Sequence, residues 1–289
     1  MGVPALLTCS IIGLVLVSSC LAGFNDQFTE VWAPENITPD DATNSVTIRL
    51  TQTAGAQFAT VNSFLYGYFS ANIKLVAGNS AGTVSAFYLT SYDTNHDEID
   101  FEFLGNETGS PVIVQTNIFV NGVGGREDRI YLWFDPTTDF HNYSVVWNHE
   151  QVTWLVDGTP IRIYKNIESV LPNSYPSHQA MGIAHSIFDG SSWATRGGAV
   201  PCNWEYAPFL LTFKDFAYDG CTVNSNDITP CTSASNYQSN WWESAQYQSL
   251  SSAQVSQLQQ VHQEYQIYDY CTDQTRYPTP PAECSYNAI

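Results

Sequence analysis

The stretch His96-Asp97-Glu98-Ile99-Asp100-Phe101-Glu102-Phe103-Leu104-Gly105-Asn106 alternates polar and apolar side chains. A period of two is that of a β-strand, so Glu98, Asp100 and Glu102 share one face and Ile99, Phe101 and Phe103 share the other. The apolar face demands a core beneath it. The acidic face has the opposite character: three adjacent carboxylates repel one another, so stability alone would not select them. Two carboxyl groups facing a groove suit cleavage of a glycosidic bond, one as nucleophile or base and one as proton donor. Glu98 and Glu102 are separated by roughly 13 Å of strand at about 3.3 Å per residue. A retaining glycosidase holds its carboxyl groups about 5–5.5 Å apart. Side chains that lean together on a bent strand close that gap, and Asp100 lies between them.

The surrounding sequence reads as more strands. Val46-Thr47-Ile48-Arg49-Leu50, residues 66–76 and Thr83-Val84-Ser85-Ala86-Phe87-Tyr88-Leu89 alternate, with Gly, Asn, Asp and Pro between them. Residues 130–148 read as strand, turn and strand. Asp157-Gly158 predicts a hairpin turn, and residues 209–218 a last strand. The fold class expected is an all-β sandwich. After Gly220 the composition turns to Ser, Asn, Gln and Thr. There Ser251 caps a predicted helix over residues 253–268, with Val255, Leu258, Val261, Tyr265 and Tyr268 as one apolar stripe. Trp241 and Trp242 read as core or as a sugar platform.

The formal charge of −19, with nine Lys plus Arg, excludes nucleic acid and anionic membrane as partners. A neutral polysaccharide is compatible with it. Residues 1–23 carry no charged side chain, and an apolar run at 11–17 precedes Ser18-Ser19-Cys20-Leu21-Ala22-Gly23. This predicts a signal peptide cleaved near Ala22, the alternative being an uncleaved anchor. No other run reaches the roughly 20 apolar residues of a membrane span, so no membrane association is expected after cleavage. Secretion makes disulfides expected. With Cys9 and Cys20 removed, Cys221 with Cys231 and Cys271 with Cys284 are the economical local pairs. Cys202 is left as a buried free thiol or a partner in a reshuffled pairing. No metal site is expected, since the cysteines and histidines do not cluster, and no cofactor is implied. Asn36, Asn106 and Asn142 head glycosylation sequons.

The eleven residues 96–106 resemble the signature of the xyloglucan endotransglucosylase/hydrolases, plant cell-wall enzymes of glycoside hydrolase family sixteen. The resemblance covers nearly all of residues 24–289. It implies a concanavalin-like jelly roll over residues 24–218, with a concave glucan-binding sheet. It also implies a short helical extension over residues 219–289, stapled by the disulfides Cys221–Cys231 and Cys271–Cys284. Glu98 is implied as nucleophile, Glu102 as acid/base and Asp100 as the helper that tunes Glu98. Gln115, Thr116 and Asn117 would line the donor side, with Gly125, Arg126, Glu127 and Arg129 near bound sugar. Ser192-Trp193-Ala194-Thr195-Arg196-Gly197-Gly198 is similar to an acceptor-side motif, which implies that Trp193 is a sugar platform with Ser192 and Gly197 beside it. Arg276 is implied as a further sugar contact and Asn106 as the glycan-bearing sequon. The activity implied is that of a secreted, monomeric cell-wall (apoplastic) enzyme. It cuts the β-1,4-glucan backbone of xyloglucan with retention and passes the new end to another glucan. The chain departs from the family pattern at Gly182, Ala184, Phe188, Ser191 and Ser192. The departures at Ser191, Phe188 and Gly182 keep open a hetero-transglucosylase using cellulose or mixed-linkage glucan as donor, and a xyloglucan hydrolase stays open because it shares every catalytic residue. A non-catalytic glucan-binding protein is a third class, against which the intact carboxylates argue.

Overall fold

Two antiparallel sheets face each other across a core of aromatic and branched side chains. The structure is a computed structural model and is described for residues 23–223 and 227–287, so the expected signal peptide, Gly23 excepted, lies outside the described residues. In chain order the strands are β1 (Phe28–Trp32), β2 (Ile37–Asp40), β3 (Ser45–Leu50), β4 (Ala56–Thr60), β5 (Ser63–Lys74), β6 (Thr83–Thr90), β7 (Glu98–Leu104) and β8 (Ile113–Phe119). They continue with β9 (Asp128–Tyr131), β10 (His141–Trp147), β11 (Gln151–Val156), β12 (Thr159–Lys165), β13 (Gly182–Asp189), β14 (Phe209–Val223) and β15 (Gln266–Asp269). One sheet has the order β1-β4-β13-β6-β7-β8-β9-β15, the other β12-β11-β10-β5-β14-β3-β2.

The alternation in β7 is realised in full. Ile99, Phe101 and Phe103 are buried in the sandwich, where Phe101 and Phe103 meet Tyr143 of the opposite sheet edge to face. Burying three such side chains contributes on the order of 5–9 kcal/mol of transfer free energy. It fixes the register, because a slip of one residue would drive Glu98, Asp100 and Glu102 into the core. Asp157 and Gly158, both at positive φ, make the expected two-residue turn between β11 and β12.

Both expected disulfides are present, Cys221–Cys231 and Cys271–Cys284. Cys202 is a buried thiol that donates to Asp189 Oδ1 at 3.4 Å. The helix spans Ser252–Tyr265 and starts with the expected cap: Ser251 Oγ accepts from Gln254 N, and the Gln254 side chain accepts from Ser251 N. It ends earlier than its stripe predicts. Tyr268 leaves the helix and joins β15, which pairs with β9, and the Arg129 guanidinium sits 5.2 Å from its ring. An open sheet edge and a cation over the ring outweigh three more residues of helix. β14 runs through the expected junction at 218/219. Residues 266–269 thus belong to the large sheet, and the Cys271–Cys284 bridge anchors the segment that follows them. Replacing Cys271 and Cys284 by Ser is expected to lower unfolding free energy by about 3 kcal/mol for a loop of this length, measured by denaturant titration.

Candidate active site

The outer face of the eight-stranded sheet carries a groove of about 390 Å³. Strand register lays its residues out in rows. Glu98 lies between Thr90 and Phe119, Asp100 between Tyr88 and Asn117, and Glu102 between Ala86 and Gln115. The Glu102 row extends across the whole sheet: Trp32, Gln57, Ser186, Ala86, Glu102, Gln115, Arg129 and Tyr268 are successive cross-strand partners. Ser186, Phe188, Glu127 and Trp193 complete the groove's lining around the acids.

Each carboxyl group has a distinct environment. Asp100 is fully enclosed, and burial together with the charges of Glu98 and Glu102 holds its carboxyl well above the usual range. It therefore keeps a proton, which it donates to Glu98. Burial also raises Glu98, opposed by hydrogen bonds from Thr90 and Asp100 that favour its ionised form. Glu102 is pushed up to about 7, first by burial, against a hydrogen bond from Gln115 Nε2. Gln115 is itself oriented by Arg129 Nε, which donates to its Oε1 at 2.6 Å. The result is a protonated Glu102 next to a Glu98 that can be ionised, the division of labour that cleavage by acid and nucleophile requires.

The remaining expected residues divide into those at the groove and those turned away. Gln115, Asn117, Glu127, Arg129 and Trp193 line it. Trp193 is 37% exposed, a free aromatic face at one wall. Thr116 is a correction: alternation in β8 turns it inward, where it accepts from Arg162 Nη1 at 2.9 Å. Arg126 is another. Its side chain pairs with Glu283 at 2.7 Å and donates to the Ile118 and Val123 carbonyls, leaving it tied to the C-terminal segment rather than to the groove. Gly125, at positive φ, accepts from the Tyr277 hydroxyl at 2.8 Å. A Cβ there would come within 2.6 Å of that oxygen, so glycine lets the extension close over this loop. Arg276 pairs with Glu127 at 2.5 Å and reaches the groove's rim through it. Ser192 and Gly197 lie in the turn that carries Trp193, where the Ser192 carbonyl packs against Gly198 and Gly197 takes positive φ. Among the described residues no cluster of His, Cys, Asp and Glu could hold a metal ion.

Comparison with known proteins accords with this geometry. The family model described as Glycosyl hydrolases family 16 matches residues 24–206, and that of the xyloglucan endo-transglycosylase C-terminus matches residues 236–284. The chain belongs to the xyloglucan endotransglucosylase/hydrolases. It is 45% identical to a probable xyloglucan endotransglucosylase/hydrolase protein B of Phaseolus angularis, over 91% of this chain and 88% of that one. It is 44% identical to xyloglucan endotransglucosylase protein 34 of a Populus hybrid, over 90% and 87%. Among solved structures, a lichenase from a mouse hindgut metagenome aligns with a TM-score of 0.53 at 27% identity, covering 67% of this chain and 87% of that one. The Crh5 transglycosylase aligns with a TM-score of 0.57 at 21% identity, covering 72% and 83%, and shares the fold.

A retaining glycosidase needs one carboxyl group charged and the other protonated at once, and the environments of Glu98 and Glu102 fit those two states. Activity is therefore expected to fall as pH rises through about 7, where Glu102 loses its proton. Gln115→Leu removes a donor that favours ionised Glu102, so the basic limb of the kcat/KM profile should move to higher pH. A limb that stays in place or moves down would contradict this assignment. The sequence reading missed Tyr88 and Thr90, which alternate with buried Phe87 and Leu89 on β6 and flank the acids. It also missed Arg162, buried behind β8.

Proposed function

We propose that the protein is a secreted endotransglucosylase that cuts the β-1,4-glucan backbone of xyloglucan with retention and transfers the new end to another glucan chain. The observation that carries this reading is the row of Glu98, Asp100 and Glu102 facing a groove edged by a xyloglucan endo-transglycosylase C-terminal segment. Glu98, held ionised by the hydrogen bond from protonated Asp100, attacks the anomeric carbon as Glu102 protonates the leaving oxygen. The leaving chain departs and a glycosyl-enzyme remains on Glu98. Glu102, now ionised, takes a proton from the hydroxyl of an acceptor sugar. That hydroxyl displaces Glu98 and restores the starting state. Trp193 supplies a platform for acceptor sugars, and a held hydroxyl competes with water through its effective concentration. Gln115, Asn117 and Arg129 line the donor side, with Glu127 and Arg276 at its rim.

The Gly182 position favours a second reading. A Cβ at Gly182 would lie 3.3 Å from the Tyr92 ring, which is 55% exposed. Tyr92 therefore covers ground where the resembling family commonly carries an arginine, and a less decorated glucan such as cellulose or mixed-linkage glucan would serve as donor. One assay separates these readings: a labelled xyloglucan oligosaccharide as acceptor with xyloglucan, mixed-linkage glucan or cellulose as donor, reducing ends being counted in parallel. Label entering xyloglucan without new reducing ends is expected. Label entering the other glucans would favour the second reading, and new reducing ends without label would make the protein a hydrolase.

Secretion makes glycosylation possible, and we assign it to Asn106, whose amide nitrogen donates to the Pro111 carbonyl at an exposed site. Asn36 is excluded by its environment: it is buried, and its amide nitrogen donates to the Ala54 and Gly55 carbonyls. Peptide mass spectrometry of the secreted protein is expected to find glycan on the Asn106 peptide and an unmodified Asn36 peptide. The converse would overturn both assignments.

A further inference from the structure

The Trp193 indole lines the groove, yet it makes no hydrogen bond and no ring contact with another described residue. Its place at the groove wall is therefore set by the turn that carries it. Trp193 N and Ala194 N fold that turn back, both donating to the Gly190 carbonyl, at 3.0 and 2.8 Å.

Two side chains fasten the turn to the sheet. Thr195 is 3% exposed. Its hydroxyl accepts from Gly82 N at 2.7 Å and donates to the Gly105 carbonyl at 2.8 Å. Gly82 leads into β6, and Gly105 directly follows β7, the strand of Glu98 and Glu102. At the start of the turn, Ser191 Oγ donates to Asp189 Oδ1 and accepts from Cys202 N at 2.9 Å. Ser191 N donates to the same Asp189 oxygen at 2.9 Å. The joint has no slack: a Cβ at Gly105 would stand 1.9 Å from the Ser80 carbonyl oxygen. Ala194 packs there with Val84 of β6 and Leu104 of β7. The Arg196–Glu107 pair spans the same joint at 2.7 Å, but both side chains are exposed, and such a pair contributes little. The buried bonds of Thr195 matter more, because losing its hydroxyl strands a buried donor and a buried acceptor.

We propose that Thr195 and Ser191 are positioning residues that hold the Trp193 platform in register with Glu102, and so set the share of glycosyl-enzyme passed to an acceptor sugar rather than to water. That role rests on Trp193 serving acceptor sugars, the reading given above. Neither side chain is among those lining the groove, so both act through the ring. A displaced ring lowers the effective concentration of the acceptor hydroxyl, whereas water needs no platform.

The test uses an oligosaccharide of whichever glucan the labelled assay above identifies as donor, with fluoride as its anomeric leaving group. No leaving sugar then rests on the acceptor side, and first-turnover fluoride release reports formation of the glycosyl-enzyme alone. Thr195→Val should raise the KM of a labelled xyloglucan oligosaccharide acceptor about tenfold, the loss expected for one well-placed contact. First-turnover release, and hydrolysis without acceptor, should stay within about twofold of the parent. Thr195→Ser keeps the hydroxyl and should restore the parent's acceptor KM. Ser191→Ala should raise that KM about threefold, since its bonds are more exposed. In Trp193→Ala protein, whose acceptor KM is itself expected to rise, adding Thr195→Val should have no further effect, because the threonine acts only through the ring. An acceptor KM unchanged by Thr195→Val would overturn the proposal. So would first-turnover release that falls as far as transfer, the mark of a merely structural role. A Trp193→Ala protein with the parent's acceptor KM would overturn the platform itself, and the positioning role with it. Should Thr195→Val fail to fold, Ser191→Ala, at the less buried fastening, decides in the same assay.

Discussion

Replacing Glu98 by Gln will reduce turnover of xyloglucan by at least about four orders of magnitude while leaving polysaccharide binding nearly intact. Losses of that size follow removal of a group that forms the covalent bond itself. The amide is isosteric, so the Thr90 and Asp100 contacts and the β7 register should survive. Circular dichroism and the unfolding midpoint are expected to match the parent. The paired measurement matters: lost turnover with lost binding would indicate a damaged groove, and unchanged turnover would remove Glu98 from the mechanism. Asp100→Asn should have a smaller effect, because an amide also donates to Glu98. It cannot share a proton with Glu98 when that carboxylate becomes a leaving group, so a drop in kcat with little change in KM is expected.

The largest expected loss of stability is at Arg162, outside the groove. Its guanidinium is 3% exposed, pairs with Asp128, donates to the Thr116 and Arg126 carbonyls and lies 5.0 Å from the Trp154 ring. Arg162→Met leaves Asp128 buried without its counter-ion, which costs about 3–5 kcal/mol near neutral pH. Burial places Asp128 at about 6 even with Arg162 present, above its unfolded value of 3.8. A group raised in the folded state favours folding most at low pH, and that contribution is lost as pH rises through the folded value. Removing Arg162 raises Asp128 further and extends this window upward. The deficit of Arg162→Met against the parent should therefore grow from pH 5 to pH 8. Adding Asp128→Asn should recover part of it. A deficit independent of pH would mean that packing, not charge, explains the role of Arg162.

Legibility in the sequence followed solvent exposure. β7 could be read because one face is core and the other is groove, the condition under which a period of two shows directly. The same logic placed Gln115 and Asn117 together. The Gln-Thr-Asn motif, read as a block, places Thr116 at the groove, although alternation sends its middle residue inward. Arg162 was hidden because β12 is buried on both faces, the helix Ser252–Tyr265 covering what would otherwise be its wet side. In a strand with no wet face, period carries no signal. The only clue was a lone arginine among Ile161, Ile163 and Tyr164 in a chain poor in cations. The helix end at Tyr265 was equally obscure, because Tyr268 fits the helical stripe and the strand β15 alike. Only the unpaired edge of β9 decides between them, and that edge is tertiary information.

That edge has a consequence for how the enzyme comes into being. The strand that completes the active-site sheet, Gln266–Asp269, is made long after β9, and until then that edge of β9 has its backbone donors and acceptors unpaired. During synthesis the acids of β7 are in place long before the groove beside Arg129 has its outer wall. A chain cut short before residue 266 would retain every group of the chemistry and expose a sticky margin next to it. Completion of the active-site sheet is thus tied to a segment that follows every group of the chemistry in the chain.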